Sequence, residues 1–424
     1  MARRERIGLV LGGGGARGAY EVGVLSVLGP ELERLGQRPS VFVGNSVGAL
    51  NAAFLAANRH RAAADVAEAG MATWREISLE RIVRPVSRQV PLGMFQYLGE
   101  VLAVPGVQLS SLLDPEPLGR ALPEWVNLDG VHRNVAQHVT DALAIVATPA
   151  RSGRAVVFVE SDTARVKHRS HLIDYVPTRI EFDQLRASAA IPLLFPPVWV
   201  GTPHHARGWY VDGGTRLNTP IKPALDLGVD RLVVIGTESV RTPEDPLRCD
   251  DESEPDIFNG VIHLLAGALG DPLAEDIVRL GNVNLFFADT DTAPAANRYR
   301  RIRGKAPYRQ VPYIFIAPRH RGAISELGRD VFRSRYGGWR GLRSPTTRLL
   351  GQLLGGDTPA RAELLSYLYF DPEFHQELIT MGQEDARRWF AERPDPDDPW
   401  QVEPLAELTN PRASPGCDPD EGTG

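Results

Sequence analysis

Short apolar runs alternate with helical periodicity over the first half of the chain. Residues 7–11 are an apolar run, and residues 17–35 then carry apolar side chains near helical spacing. Further apolar runs of strand length lie at 41–43, 143–147, 155–159, 209–211 and 231–235. Strands that alternate with helices usually form a parallel sheet. The pattern therefore predicts an α/β sandwich with a largely parallel central sheet.

The stretches between these runs predict the connections. Residues 151–153, Arg-Ser-Gly, separate two apolar runs and predict a hairpin turn. Residues 49–57 are rich in alanine and predict a helix, and a second helix is predicted to begin near residues 219–220. The sequence contains no internal repeat.

Two regions interrupt the alternation. Residues 84–113 are apolar but broken by proline and glycine. We interpret them as a candidate lid that meets a lipid interface, with an ordinary insertion packed on the core as the alternative. Residues 241–256 are acidic and contain proline, which predicts a mobile loop.

The pattern becomes helical from about residue 325. Apolar and aromatic positions between 364 and 369 predict a packing cluster of Leu364, Leu365, Tyr367, Leu368 and Tyr369. Residues 393–424 are rich in proline and acidic side chains, so they are predicted to be disordered. We therefore divide the chain into a main domain (1–325), a helical C-terminal extension (326–392) and a disordered tail (393–424).

Composition narrows the function. The 424-residue chain is 43% hydrophobic and 24% charged, as in soluble globular proteins. Its formal net charge of -6 gives no reason to expect nucleic-acid binding. The two cysteines, Cys249 and Cys417, are far apart and suggest neither a disulfide framework nor a zinc site. No metal or cofactor is predicted.

The beginning of the chain resembles a signal peptide only superficially. Basic residues precede an apolar run, but that run spans five residues before glycine begins, so a first strand is the better interpretation. No stretch reaches the roughly 18 apolar residues of a membrane span. We expect a cytoplasmic protein that contacts membrane surfaces transiently, with export by a signal-less route left open.

Four consecutive glycines at 12–15 join the first strand to the first helix. Exposed backbone N–H groups and the helix dipole at such a turn can hold an anion. Gly13, Gly15 and Gly18 fit a dinucleotide fingerprint, but the acidic residue expected about 20 positions on does not close the second strand. A nucleotide phosphate and a reaction oxyanion remain the two alternatives.

A G-x-S-x-G motif follows the second predicted strand. Gly44-Asn45-Ser46-Val47-Gly48 lies between a strand and a helix, which is the setting of a nucleophile elbow. The turn is so tight that side chains at Gly44 and Gly48 would collide with the neighbouring strand and helix. An acyl-transfer site would use this serine and the glycine loop together, because backbone N–H groups must face the tetrahedral oxyanion.

A general base is predicted at the end of another strand. Asp212 follows the run 209–211 and precedes Gly213 and Gly214. Partial desolvation there would raise its pKa toward the range of a general base, although an Asp-Gly turn residue is the plainer interpretation. His263 and His320 are candidates for a triad histidine, but a structural or solvent-facing position is the simpler expectation for each.

Together these motifs resemble the patatin-like phospholipase family. The glycine loop at 13–18, the segment 44–52, the Asp-Gly-Gly turn at 212–214 and the apolar stretch 187–197 occur in the family's order and spacing. The resemblance covers residues 6–237 and implies a three-layer sandwich. It also implies hydrolysis of lipid acyl esters by a Ser–Asp dyad without calcium. The region after about 325 has no recognised counterpart.

The resemblance also implies residue roles. Ser46 would attack the ester carbonyl and Asp212 would take its proton. Arg17 matches a basic position after the glycines, where it would orient the loop or meet lipid phosphate, and a surface ion pair is the alternative. The oxyanion hole is assigned to Gly13, Gly14, Gly15 and Arg17. Glycines that support these motifs are Gly18, Gly44, Gly48, Gly213 and Gly214.

The leading hypothesis is a hydrolase of phospholipid or lysophospholipid. An acyltransferase or thioesterase on the same dyad, a nucleotide- or phosphate-binding module using the glycine loop, and a silent lipid-binding scaffold remain alternatives. Oligomeric state and lipid preference are not determined by the sequence.

Overall fold

The computed structural model describes residues 4–85, 113–162, 172–192, 194–240, 273–288, 292–304, 307–336, 359–395 and 397–405. The strands are β1 (Ile7–Leu11), β2 (Val41–Asn45), β3 (Arg84–Pro85), β4 (Leu113–Asp114), β5 (Ala142–Pro149), β6 (Ala155–Glu160), β7 (Ile173–Pro177), β8 (Val198–Val200), β9 (Gly208–Asp212), β10 (Arg231–Ile235) and β11 (Tyr313–Ile316). The helices are α1 (Gly18–Arg34), α2 (Val47–Asn58), α3 (Ala63–Glu76), α4 (Leu79–Ile82), α5 (Glu116–Trp125), α6 (Leu128–Ala136), α7 (Phe182–Ser188), α8 (Ile221–Asp226), α9 (Leu273–Ala288), α10 (Thr292–Ile302), α11 (Ala323–Tyr336), α12 (Pro359–Leu368) and α13 (Pro372–Ala391).

One mixed sheet forms the centre of the fold, with the strand order β11-β10-β1-β2-β5-β6-β7. The five strands from β11 to β5 run parallel to one another, whereas β6 and β9 are antiparallel to β5. All residues of β1 and β2 are buried, as expected for parallel strands that helices cover on both faces. The predicted α/β class with a largely parallel sheet is confirmed.

Local predictions from periodicity also hold. β5 and β6 form the predicted hairpin, with Ile145 opposite Phe158. The helix predicted over 49–57 begins earlier, at Val47, because the turn at Ser46 leads directly into it.

The C-terminal helices share the core of the sheet domain. The predicted cluster at 364–369 is buried, and α13 lies along α1. Two glycines allow that close approach. A Cβ atom at Gly23 would lie 2.3 Å from the Ile379 carbonyl oxygen, and one at Gly382 would lie 2.4 Å from the Tyr20 carbonyl oxygen. The boundaries 325 and 392 stay predictions.

The chain after α13 is ordered further than its composition suggests. Gln401 forms a β-bridge with Tyr313, with N–H to O distances of 2.7 and 2.8 Å. Trp400 and Leu405 are buried. The expectation of disorder from residue 393 is therefore wrong for 397–405, because this segment pairs with β11 and covers apolar surface. Residues 406–424 lie outside the described residues.

Other expectations fall on undescribed parts of the chain. Most of the candidate lid (86–112), the acidic loop (241–256) and His263 lie outside the described residues. The two ends of the candidate lid are described, and they pair: Arg84 lies opposite Asp114 and Pro85 opposite Leu113. Within the described ranges, no helix is both long and apolar enough to cross a membrane.

Gly382→Ala is expected to destabilise the fold by about 1–3 kcal/mol, because the added methyl group meets the backbone of α1 rather than a movable side chain. Thermal unfolding followed by circular dichroism measures the effect. Gly29→Ala, on α1, is the matched control, because its Cβ would lie 3.6 Å from the Ala63 Cβ, an ordinary contact. Equal melting temperatures for Gly382→Ala and the unsubstituted protein would contradict the close packing.

Candidate active site

Ser46 occupies a strained turn between β2 and α2. Its backbone has φ 51° and ψ −125°, a conformation that side-chain-bearing residues rarely adopt outside functional sites. Its N–H donates to the Ser188 hydroxyl at 2.8 Å, and its own hydroxyl does not cap α2. The turn therefore presents the Ser46 hydroxyl for other interactions.

The flanking glycines are required by close backbone approach. A Cβ atom at Gly44 would lie 2.2 Å from the Gly48 carbonyl oxygen, and one at Gly48 would lie 2.4 Å from the Gly12 carbonyl oxygen. Gly18 is similarly confined, since its Cβ would lie 2.5 Å from the Val47 side chain. The G-x-S-x-G spacing thus holds the elbow directly against the glycine loop.

The glycine loop lies beside the serine. A Cβ atom at Gly13 would lie 3.3 Å from the Ser46 Cβ. Gly15 has φ 56° and no room for a side chain, since its Cβ would lie 2.1 Å from the Tyr367 carbonyl oxygen. Within the described parts of the chain, the N–H groups of Gly14 and Gly15 have no hydrogen-bond acceptor. Two donors are therefore available next to Ser46.

Strand β9 brings Asp212 to the end of β2, where Ser46 lies. The register pairs Asp212 with Ala147 of β5, and β5 also pairs with β2 through Val146 and Asn45. The carboxylate is 1% exposed. Its Oδ1 accepts from the Gly214 N–H at 2.7 Å, whereas Oδ2 has no hydrogen bond of normal geometry.

Burial controls the charge of this carboxylate. Desolvation raises the pKa of Asp212 to about 6, against the opposing effects of the Ser46 hydroxyl, the Gly214 N–H and the Asn45 side chain. A carboxylate with this pKa is ionised at neutral pH and more basic than an exposed one. The Ser46 hydroxyl is thus a direct electrostatic neighbour of a buried anion.

An asparagine pair, which the sequence analysis did not single out, joins the three motifs. Asn45 Nδ2 donates to Asn218 Oδ1 at 3.1 Å, and the Asn218 carbonyl oxygen accepts from the Gly13 N–H at 3.3 Å. Gly213 fits against the asparagine pair, since its Cβ would lie 2.4 Å from Asn45 Oδ1. A Cβ atom at Gly214 would lie 3.0 Å from Asn45 Nδ2. Nothing in the local sequence around Asn218 marks it, because its role comes from tertiary contacts.

Arg17 does not occupy a surface position. Its side chain is fully buried, and it pairs with Glu238. The guanidinium donates to Ser366 Oγ at 2.8 Å and to Ser325 Oγ at 3.2 Å, and it lies 4.1 Å from the centre of the Tyr367 ring. The expectation of a surface ion pair or a lipid-phosphate contact is wrong, because C-terminal residues enclose the cation. Orientation of the loop is the role that this position supports.

A second buried carboxyl lies under the glycine loop. Glu21 of α1 is fully buried, and the Asn51 side chain donates to its Oε2 at 2.7 Å. Its Oε1 has no hydrogen-bond partner. Burial raises the pKa of Glu21 to about 8, opposed by Asn51 and the Gly12 backbone. Glu21 is therefore largely protonated at neutral pH, which the sequence did not indicate.

An apolar cavity opens next to Ser46. Its wall is formed mainly by aliphatic and aromatic side chains of α2, α3, α5 and α12, and by Phe195 of the stretch 187–197. The residues that line it include Val47, Leu50, Phe54, Trp74, Ile77, Ile82, Leu118, Trp125, Phe195 and Leu368. A cavity of this character accepts a hydrocarbon chain rather than a charged group.

The position of His320 does not support a role as a triad histidine. The side chain of His320 is 60% exposed and pairs with Glu326 at 3.1 Å. Among the residues that the structure describes, no group of three His, Cys, Asp or Glu side chains is placed to hold a metal ion.

An α/β sheet that carries a G-x-S-x-G turn where its parallel strands end is typical of ester-cleaving hydrolases. The sequence profile of the patatin-like phospholipase family matches residues 9–225, just over half of the chain. The chain belongs to the patatin-like phospholipase family. Membership implies lipid acyl hydrolase activity.

Solved structures give more distant likenesses. VipD from Legionella pneumophila is 15% identical, with 89% of this chain and 67% of that chain covered and a TM-score of 0.30. The ExoU–SpcU complex of the type III secretion system of Pseudomonas aeruginosa gives 18% identity, coverage of 92% and 77%, and a TM-score of 0.27. Likenesses at this level carry no conclusion about the site. A search of curated proteins found no significant match.

Glu21→Gln is expected to flatten the dependence of stability on pH. The native pKa of Glu21, about 8, lies above its ordinary value of 4.5. The carboxyl therefore costs no stability below pH 4.5. As the pH rises from there to about 8, it removes about 1.4 kcal/mol per pH unit, because the unfolded chain ionises first.

Glutamine mimics the neutral carboxyl, so the variant should gain stability over the unsubstituted protein as the pH rises from 5 to 8. Urea unfolding at several pH values measures this gain. Exposed Glu68→Gln is the control and should leave the slope unchanged. Parallel pH profiles for Glu21→Gln and the unsubstituted protein would contradict a neutral buried Glu21.

Proposed function

We propose that this protein is a serine-dependent lipid acyl hydrolase of the phospholipase A or lysophospholipase type. The observation that carries the proposal is the juxtaposition of a strained Ser46, the buried Asp212 carboxylate and the N–H groups of Gly14 and Gly15, which have no acceptor among the described residues. No cofactor is required by this chemistry. The substrate is a carboxylic ester of a membrane phospholipid or lysophospholipid, and the protein meets the membrane surface transiently.

Each group has a role in the first half of the reaction. Asp212 accepts the Ser46 hydroxyl proton while Oγ attacks the ester carbonyl carbon. The carbonyl oxygen becomes an oxyanion, and the N–H groups of Gly14 and Gly15 stabilise it. The intermediate collapses to an acyl-serine. The leaving group departs as an alcohol with the proton that Asp212 returns; it is a lysolipid from a phospholipid and a glycerophosphodiester from a lysophospholipid.

Water completes the cycle. Asp212 takes a proton from a water molecule that attacks the acyl-serine carbonyl, and the same N–H groups stabilise the second oxyanion. Collapse then releases the fatty acid and returns the proton to Ser46. The apolar cavity beside Ser46, about 80 Å³ in volume, receives the part of the acyl chain next to the carbonyl, which supports a hydrophobic acyl ester as substrate.

Arg17 and Glu21 position the loop without touching the substrate. Arg17 fixes the loop to the C-terminal helices, and Glu21 lies beneath it as a neutral carboxyl. Asn45 and Asn218 hold the loop, the elbow and the Asp212 turn at fixed spacing. These contacts favour a preformed site over one that assembles on binding.

Ser46→Ala and Asp212→Asn are each expected to lower hydrolysis at least about 10³-fold, because each removes a group that forms or breaks a bond. The assay follows fatty-acid release from phospholipid vesicles and product release from a p-nitrophenyl ester. A fluorophosphonate should label the unsubstituted protein but not Ser46→Ala. Ser26→Ala, a serine substitution outside the site, is the control. Full activity in a folded Ser46→Ala protein would exclude the mechanism.

The dependence of kcat/KM on pH tests the base. Asp212 must be ionised to accept a proton, and its pKa is about 6. Activity on the p-nitrophenyl ester should therefore be nearly constant above pH 7 and fall about tenfold per pH unit well below 6. A profile that stays flat down to pH 4.5 would contradict the assignment of Asp212 as the base.

A further inference from the structure

The hairpin that carries Asp212 also carries an exposed aromatic pair. β8 and β9, with the turn between them, form the tryptophan hairpin (residues 198–212). Trp199 lies opposite Trp209 in the register, and their ring centres are 5.4 Å apart. The two side chains are 47% and 53% exposed, whereas Val198 and Val200 on the other face are buried.

This exposure is unusual for tryptophan on a sheet. Trp74, Trp389 and Trp400 are all less than 9% exposed in this protein. Tryptophan has an apolar ring and a polar N–H, and this combination favours the boundary between lipid head groups and acyl chains. A paired, solvent-facing tryptophan surface therefore fits a bilayer interface.

The surroundings of the pair are basic. The hairpin turn contains His204, His205 and Arg207, all exposed, and Arg207 lies 2.9 Å from the His204 ring. The turn 149–154 lies alongside, since the Ala150 N–H donates to the Trp209 carbonyl oxygen at 2.8 Å, and it adds an exposed Arg151. The stretches 149–154 and 198–211 contain no acidic residue. Asp174 of β7 lies nearby and pairs with Arg154 at 2.6 Å, so the positive charge of this surface comes from Arg151 and Arg207.

The hairpin is also close to the candidate active site. Trp209 and Asp212 are three residues apart on one strand, which is about 10 Å at the usual rise per residue. Anything that binds Trp199 and Trp209 from outside is therefore next to the sheet edge at which Ser46 and Asp212 meet.

We propose that the tryptophan hairpin is the docking surface of this protein for anionic lipid bilayers. Trp199 and Trp209 enter the head-group region, and Arg151 and Arg207 pair with anionic head groups. This inference deepens the proposed function, because it assigns the surface that delivers a membrane lipid to the site. It does not depend on the candidate lid at 84–113.

Binding is measured by cosedimentation with vesicles in the Ser46→Ala background, so that lipid is not consumed. The vesicles are phosphatidylcholine alone, or phosphatidylcholine with about one third phosphatidylglycerol. The double variant Trp199→Thr/Trp209→Thr should bind the mixed vesicles about tenfold more weakly. Arg151→Gln/Arg207→Gln should weaken mixed-vesicle binding by a similar factor, leave phosphatidylcholine binding unchanged and reduce the salt dependence.

A matched control lies on α10, which precedes β11 at the other edge of the sheet. Arg298 and Tyr299 are exposed there. The variant Arg298→Gln/Tyr299→Thr removes one arginine and one exposed aromatic ring, so it combines one change of each kind that is made in the hairpin. This control should bind mixed vesicles like its parent. The proposal is overturned if the control loses as much binding as the hairpin variants. It is also overturned if the hairpin variants bind mixed vesicles as well as their parent, which is the result expected of a hairpin that serves a protein partner.

Two measurements keep the test independent of folding and of catalysis. Hydrogen–deuterium exchange of the Ser46→Ala protein should show protection of residues 198–209 on mixed vesicles, and unchanged exchange contradicts docking. In the active background, the tryptophan double variant should retain hydrolysis of a soluble p-nitrophenyl ester. If the unsubstituted protein hydrolyses no ester at all, the proposed function fails while vesicle binding still decides the docking proposal.

Discussion

The buried guanidinium of Arg17 ties the glycine loop to the second half of the chain. Arg17 follows the glycine loop, yet among the described residues the partners of its guanidinium all come from the second half of the sequence: Glu238, Ser325, Glu363, Ser366 and Tyr367. An unpaired buried charge would cost several kcal/mol, so the loop and these C-terminal segments must be in place together. The matched family region, 9–225, therefore contains Ser46, Asp212 and Arg17 but not the residues that enclose the Arg17 guanidinium.

The placement of the site also requires glycine wherever two backbones meet closely. The elbow, the glycine loop and the Asp212 turn approach so closely that Gly13, Gly44, Gly48 and Gly213 would each place a Cβ within 2.6 Å of a neighbouring atom. The same device recurs away from the site, where Gly23 and Gly382 bring α1 against α13. Precise placement of Ser46 thus depends on glycine at several separate points of the chain.

Local patterns predicted much of this architecture. Apolar runs located the main strands, and the strand–turn–helix context of Ser46 identified the elbow, because those features depend on neighbouring residues. The burial of Arg17, the neutral carboxyl of Glu21 and the bridging role of Asn218 depend on residues 30 to 350 positions away. No local pattern encodes them. The order of residues 397–405 was missed because the proline-rich, acidic composition outweighed the two apolar residues that anchor the segment, Trp400 and Leu405.

The short ladder of β3 and β4 has a consequence for the diversity of this fold. The ladder pairs residue 85 with residue 113. The chain between these two residues therefore begins and ends at one point of the domain. That point is close in sequence to Ile82 and Leu118, which line the apolar cavity beside Ser46. Doubling the length of a chain segment closed at its base costs only about 0.6 kcal/mol. A change in the length of this segment therefore costs little stability and leaves the strands that precede Ser46 and carry Asp212 unchanged.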